Sequence, residues 1–164
     1  MEKSCSPAIL FLMNLRVYGF RTDNLRKAFP IYLLLLISFL PFFLVLRSFS
    51  TELVELYHRT YPIVYLSILG SIAQELFFRS WLIHHLKKKI RNPIQIILIN
   101  SALFAFMHVF IPLQYIFIPV SFIMGIGFAA AYYYYPNIYL VSAVHIIVNL
   151  MIPFSCLLGL IQCP

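Results

Sequence analysis

Five apolar runs, each of membrane-crossing length and separated by short polar segments, dominate this sequence: residues 30–46, 61–83, 94–110, 115–134 and 139–160. A helix needs about 20 apolar residues, with a range of about 17–25, to cross the hydrocarbon of a bilayer. Of the 164 residues 62% are hydrophobic and 10% are charged, whereas soluble domains carry about 25% charged residues. A chain with so little polar surface cannot cover itself in water, so its solvent is lipid. Lipid offers backbone groups no hydrogen bonds, and a chain spanning it in runs of this length must be helical. The reading is an all-α polytopic membrane helix bundle of about five transmembrane helices. An interfacial segment over residues 7–20, too short to span, precedes them. Residues 1–60 hold that segment, the first span and a polar loop; residues 61–164 form a four-helix core.

The formal net charge of +7 could suggest nucleic acid, but the distribution of charge argues against it. Lys3, Arg16, Arg21, Arg26 and Lys27 precede the first long apolar run, and Lys87, Lys88, Lys89 and Arg91 fill a later loop. Basic residues confined to alternate loops orient a membrane protein. The two clusters fall on one side of a five-span chain, which puts the N-terminus in the cytoplasm. The expected location is a cell membrane crossed several times, the plasma membrane of a prokaryote, with the bilayer itself as a partner and no nucleic acid. Cys5, Cys156 and Cys163 fit no metal-ligand spacing, and no cofactor or metal is expected. Gly125 and Gly127 are expected to let the fourth span pack closely on its neighbours, Tyr132 to Tyr135 to form an aromatic belt, and Pro136 and Asn137 to make a turn.

Charges within a span cost roughly 2.5–3.5 kcal/mol each on insertion scales, so they require partners or a watery cavity. Glu75 and Arg79 interrupt the second span at positions i and i+4, the favourable order for a local ion pair. His108 lies in the third span, one turn after Phe104, and His145 in the fifth, one turn before Asn149. Counting about 1.5 Å per residue from the basic ends, Glu75 lies about 13 Å deep, His145 about 10 Å, Asn149 about 16 Å and His108 about 20 Å. Polar groups brought to similar depth by three helices point to one shared site, although an isolated histidine in a span is more often a helix-to-helix hydrogen bonder.

Three motifs carry a resemblance. The run from Gln74 to Arg79 resembles the Glu-Glu-x-x-x-Arg motif of the CPBP family, the CAAX proteases and bacteriocin-processing enzymes. Phe104 to His108 matches its Phe-x-x-x-His motif, and His145 to Asn149 its His-x-x-x-Asn motif. The resemblance implies a glutamic-type intramembrane endopeptidase acting on a peptide, prepeptide or lipidated tail. It implies that His108 helps deprotonate a water, that His145 and Asn149 donate to the oxyanion, and that Glu75 and Arg79 brace the site. One position departs from the pattern. Where the family has its water-activating Glu, this chain has Gln74. An amide can orient a water but cannot take its proton, and one step along a helix turns Glu75 about 100° away. The resemblance therefore leaves three expectations: a peptidase inactivated by a near-isosteric Glu-to-Gln change, a peptidase in which Glu75 takes over as base in a rearranged site, or a non-catalytic peptide-binding, immunity or accessory protein of the same fold.

Overall fold

A computed structural model describes residues 15–41, 63–110 and 114–157. The polar loop at 47–60, the tail of the fifth run and most of the interfacial segment lie outside the described residues. Every regular element among them is helical: α1 (Leu25–Ser38), α2 (Ile63–Glu75), a π-helical stretch (Leu76–Leu82), α3 (Ile83–Lys89), α4 (Pro93–Phe106), a 3-10 turn (Met107–Phe110), α5 (Gln114–Tyr134) and α6 (Ile138–Leu157). Elements α2, π-stretch and α3 follow one another without interruption, so the second apolar run continues as helix into the basic residues beyond it. The first helix begins earlier than the hydropathy suggests, at Leu25 rather than Pro30. Pro30, the sixth residue of this helix, lies past the first turn and so forgoes the bond an N–H there would make to the Arg26 carbonyl.

Local chemistry sets the other boundaries. The Asn92 side chain accepts the Ile94 N–H, and Pro93 occupies the first helical position of α4, where its missing N–H costs nothing. Asn137 starts α6 by accepting the Leu140 N–H at 3.0 Å, so the anticipated Pro136–Asn137 turn is present. Gly125 and Gly127 do what small residues in a span are expected to do. A Cβ on Gly125 would stand 3.2 Å from the Ser101 Cα of α4, and one on Gly127 would stand 2.7 Å from Leu35 of α1.

Polar groups are buried beside an apolar core, and many large apolar residues lie on the outside. Ser71, Glu75, Arg79, Ser80, Asn100, Asn137 and His145 are inside, while Leu34, Leu69, Ile94, Phe106 and Phe110 are among the large apolar residues outside. Lipid explains both halves: the apolar exterior has no reason to hide, and polar groups must find partners within the bundle. Two helical stretches, Pro93–Phe110 and Tyr115–Tyr134, are long and apolar enough to cross a membrane, and Ile138–Met151 is a shorter apolar helix. The fold is an all-α, membrane-type helical bundle.

At the basic end, residues 15–24 form a strap over the bundle. The Ser80 hydroxyl and the Tyr132 hydroxyl both donate to the Tyr18 carbonyl, at 2.7 and 2.8 Å. The Ile138 N–H donates to the Gly19 carbonyl at 2.9 Å, and the Asn137 amide donates to the Arg21 carbonyl at 2.9 Å. Gly19 has φ of +82° and lies directly against the Tyr132 hydroxyl, so a side chain there meets both backbone strain and a collision. Tyr132 is thus a buried anchor, whereas Tyr134 and Tyr135 do face outward as an aromatic belt would. The Arg21 guanidinium pairs with Asp23 at 2.7 Å and holds its carboxyl below the usual range. Lys87 donates to the Tyr133 carbonyl at 3.1 Å and lies over that ring, and its partial burial lowers its pKa. The N-terminal segment and the Lys87–Lys89 cluster therefore share one end of the bundle.

Candidate active site

Helical spacing places Ser67, Ser71, Glu75 and Arg79 in one row along α2 and the π-stretch. Helix α6 runs antiparallel to it, and the two rows meet residue against residue. His145 Nδ1 lies 2.7 Å from Glu75 Oε1, and one turn further the Asn149 amide donates to the Ser71 hydroxyl at 2.9 Å. Ser71 in turn donates to the Ser67 carbonyl at 2.6 Å. The second carboxylate oxygen of Glu75 faces Arg79 Nε at 3.3 Å, with both side chains fully buried. The anticipated i, i+4 pair exists, and Glu75 uses its other oxygen to reach a different helix.

Arg79 is held by aromatic faces more than by hydrogen bonds. Its guanidinium carbon lies 4.3 Å from the Phe104 ring centroid, 5.5 Å from that of Phe128 and 5.9 Å from that of Phe78. Cation–π contacts in a dry site are worth about 2 kcal/mol or more, which helps a buried cation whose nitrogens otherwise find no hydrogen-bond partner among the described residues. Phe104 is the hub. Its ring also lies 5.1 Å from that of His108 and 5.7 Å from that of His145. Phe104 is thereby the physical link between the second motif and the other two.

His108 is carried on the 3-10 turn that ends the third apolar run, two residues beyond the α-helix proper. Its Nδ1 is 3.0 Å from the Phe104 carbonyl. A carbonyl only accepts, so Nδ1 carries the hydrogen, and in the neutral ring Nε2 holds the lone pair. His108 is half-buried, in contrast to His145, which is buried. A neutral imidazole with a free, partly accessible Nε2 can accept a proton.

Gln74 is half-buried beside the fully buried Glu75. The 100° step between consecutive residues accounts for the difference: Glu75 points into the α6 contact and Gln74 to the side of it. The structure thus brings Glu75, Arg79, His145 and Asn149 into one connected cluster and joins His108 to it through Phe104, with Gln74 half-buried one residue before Glu75.

Two partners escape motif reading. Ser71 holds Asn149, and the buried Asn100 donates to the Phe78 carbonyl at 2.6 Å. That carbonyl also accepts the Ile83 N–H five residues on, a π-type bond. Asn100 thereby pins the widened turn on which Arg79 sits, and such π turns concentrate at functional sites. The signal for both was present in the sequence: Ser71 is one turn before Glu75, and Asn100 is two turns before His108 with Phe104 between.

No curated protein and no solved structure matches this chain. One family model does: that of the Type II CAAX prenyl endopeptidase Rce1-like family aligns with residues 56–151, which include all three motifs. Spanning more than half of the sequence, the match shows that this chain belongs to the Rce1-like family of membrane-embedded CAAX-type endopeptidases, within the CPBP family its motifs resemble.

Proposed function

We propose that this chain is an intramembrane endopeptidase with its site at Gln74, Glu75, Arg79, His108, His145 and Asn149, in which His108 takes over the duty of the base. The observation that carries the reading is the convergence of all three motifs on Phe104, Glu75 and His145, from three helices. In this reading Gln74 orients a water and His108 Nε2 accepts its proton as the water oxygen bonds to the scissile carbonyl carbon. Collapse of the tetrahedral species breaks the C–N bond, and His108 returns the proton to the leaving nitrogen. Asn149 and His145 face the carbonyl oxygen, while Glu75 and Arg79 keep α2 and α6 in register. The substrate class is a peptide or lipidated tail presented at the membrane. The chain would lie in a prokaryotic plasma membrane, crossing it several times with the N-terminus in the cytoplasm, by the positive-inside rule.

General base catalysis is worth about 10²–10⁴-fold, and an imidazole acting without a carboxylate forgoes part of it. Cleavage of a prenylated peptide by the unaltered chain and by Gln74→Glu, side by side in proteoliposomes, tests the reading. Slow cleavage by the unaltered chain and faster cleavage by Gln74→Glu is the expected result. Equal, robust cleavage by both overturns the account of the base. No cleavage by either correctly folded protein favours the second reading, a non-catalytic peptide-binding or accessory protein of the same fold, which Gln74 itself recommends.

A further inference from the structure

Between α1 and α5 the outer wall of the bundle is grooved. The groove has a volume of about 340 Å³, within the range of about 300–1,000 Å³ that small-molecule sites occupy. It exists because α5 presents Gly127, Ala130 and Ala131, with little or no side chain, to Ile31, Leu34 and Leu35 of α1. At one end Leu35 closes onto Gly127, where an added Cβ would stand 2.7 Å from it. At the basic end the two helices are tied by the Tyr32 hydroxyl, which donates to the Tyr135 carbonyl at 3.1 Å. Leu34 and Tyr134, on its two sides, are exposed, so among the described residues the groove opens sideways, toward lipid.

Its chemistry changes along its length. At the deep end Ser38 donates its hydroxyl hydrogen to the Leu35 carbonyl at 2.6 Å, so the walls there are apolar in effect. At the basic end stand Tyr134 and Tyr135, the residue type that sits where hydrocarbon meets headgroups. Lys27 lies one turn before Ile31, in the helical row that continues through Leu34 to Ser38. It is exposed. Other cations of that end are engaged, Arg21 with Asp23 and Lys87 with the Tyr133 ring and carbonyl. Lys27 has no acidic partner among the described residues.

The geometry points to a phospholipid site: one anionic phospholipid of the leaflet at the basic end, its phosphate on the Lys27 ammonium and one acyl chain in the groove beside Gly127 and Ala130. The order of cation, tyrosines and apolar trough is the order of phosphate, glycerol region and chain in such a lipid. Basic sites beside transmembrane helices bind anionic headgroups, and a long lysine side chain carries its charge to the interface. An isoprenoid tail by itself matches the apolar part alone. The site is separate from the catalytic cluster, because the neighbouring Phe128 is buried and turns its ring toward Arg79. Helix α1 lies outside the family match at residues 56–151 and α5 lies within it. The bound chain would fill the gap between them, joining the N-terminal helix to the family segment.

Native mass spectrometry of the full chain in detergent, with phosphatidylglycerol or phosphatidylcholine of the same acyl chains added, tests this. One phosphatidylglycerol is expected to stay bound, about fivefold more than phosphatidylcholine, the ratio that one basic residue near the membrane surface supplies. Lys27→Gln is expected to abolish that preference. Arg26→Gln, one residue along and about 100° around the helix, is expected to keep it. Ala130→Leu fills the groove and should cut retention of both lipids by about fivefold or more. Should it fail to fold, Ser38→Leu makes the same test from the deep end. Equal retention of the two lipids, equal effects of Lys27→Gln and Arg26→Gln, or full retention with the groove filled would each overturn the proposal. Displacement of the lipid by an equimolar farnesylated peptide would assign the groove to a substrate tail. A dimer abolished by Ala130→Leu would assign it to a second copy, and either result also overturns the proposal. No turnover is read, so this inference and the proposed peptidase activity stand or fall separately.

Discussion

Glu75 Oε1 and His145 Nδ1 lie 2.7 Å apart although seventy residues separate them in sequence, and this contact fixes the register of α2 against α6. Among the described residues Glu75 is also the one counter-charge paired with the buried Arg79. Replacing Glu75 by Leu is expected to destabilise the protein by about 3–5 kcal/mol, because a buried cation is left uncompensated. Removing both charges, in Glu75→Leu with Arg79→Met, is expected to restore most of that loss while leaving no peptidase activity. Unfolding in detergent, followed by circular dichroism, checks both variants. Equal stability of the single and double variants would show that Arg79 finds another partner.

His108 is half-buried and ties its own ring to the Phe104 carbonyl one turn back. His108→Ala should therefore change stability by less than about 1 kcal/mol. In the Gln74→Glu background it should lower the cleavage rate by about 10²–10⁴-fold. Parallel melting and turnover measurements separate the two effects. A loss of stability matching the loss of rate would assign His108 to the scaffold.

Asn100 tests the π-stretch. Its amide donates to a Phe78 carbonyl that also receives the Ile83 N–H, so Asn100→Leu leaves that carbonyl still bonded. The cost should fall near the low end of the range for a lost buried hydrogen bond, about 1 kcal/mol. Hydrogen exchange of the amides in residues 76–83 is expected to quicken more than exchange in α5. Uniform quickening would mean that Asn100 supports the whole bundle rather than this turn.

Two glycines give opposite expectations. Gly125→Ala would push a Cβ to 3.2 Å from the Ser101 backbone, which cannot yield as a flexible side chain can. A loss of about 1–3 kcal/mol is expected from such overpacking. Gly70 is also helical, but no atom stands within 4 Å of where its Cβ would be. Gly70→Ala is expected to stabilise by about 0.5–1 kcal/mol through helix propensity alone. Thermal midpoints of both variants beside the unaltered chain check the pair.

Much of this molecule was legible beforehand because lipid leaves a chain few choices. The runs at 94–110 and 115–134 match helical stretches to within a residue or so, since hydropathy and helix length answer to the same bilayer thickness. The pairing of His145 with Glu75 was less legible. Periodicity said that His145 and Asn149 share a face, but not that α6 lies antiparallel on α2 with Ser71 beneath Asn149. Such contacts depend on how helices pack, and a uniformly apolar surface carries little information about which neighbour it meets. Gln74 and Glu75 show the reverse case: the angular step of a helix sets them on different faces in the sequence, and one is half-buried while the other is buried. Tyr132 illustrates a local misreading. Its place in a run of four tyrosines suggested the lipid boundary, whereas its partner, the Tyr18 carbonyl, lies 114 residues away in sequence.

The strap over the basic end carries one last consequence. The family match begins at residue 56, yet Ser80, Tyr132 and Asn137, all buried and all within the matched segment, donate hydrogen bonds to carbonyls of Tyr18 and Arg21. A fragment cut to the recognisable family segment would leave those three donors facing a gap, and α5 would lose the Leu35 and Phe39 side chains seated against Gly127. The portion that ancestry makes recognisable is smaller than the portion that holds itself together. Any shortened version meant for expression has to begin ahead of Tyr18.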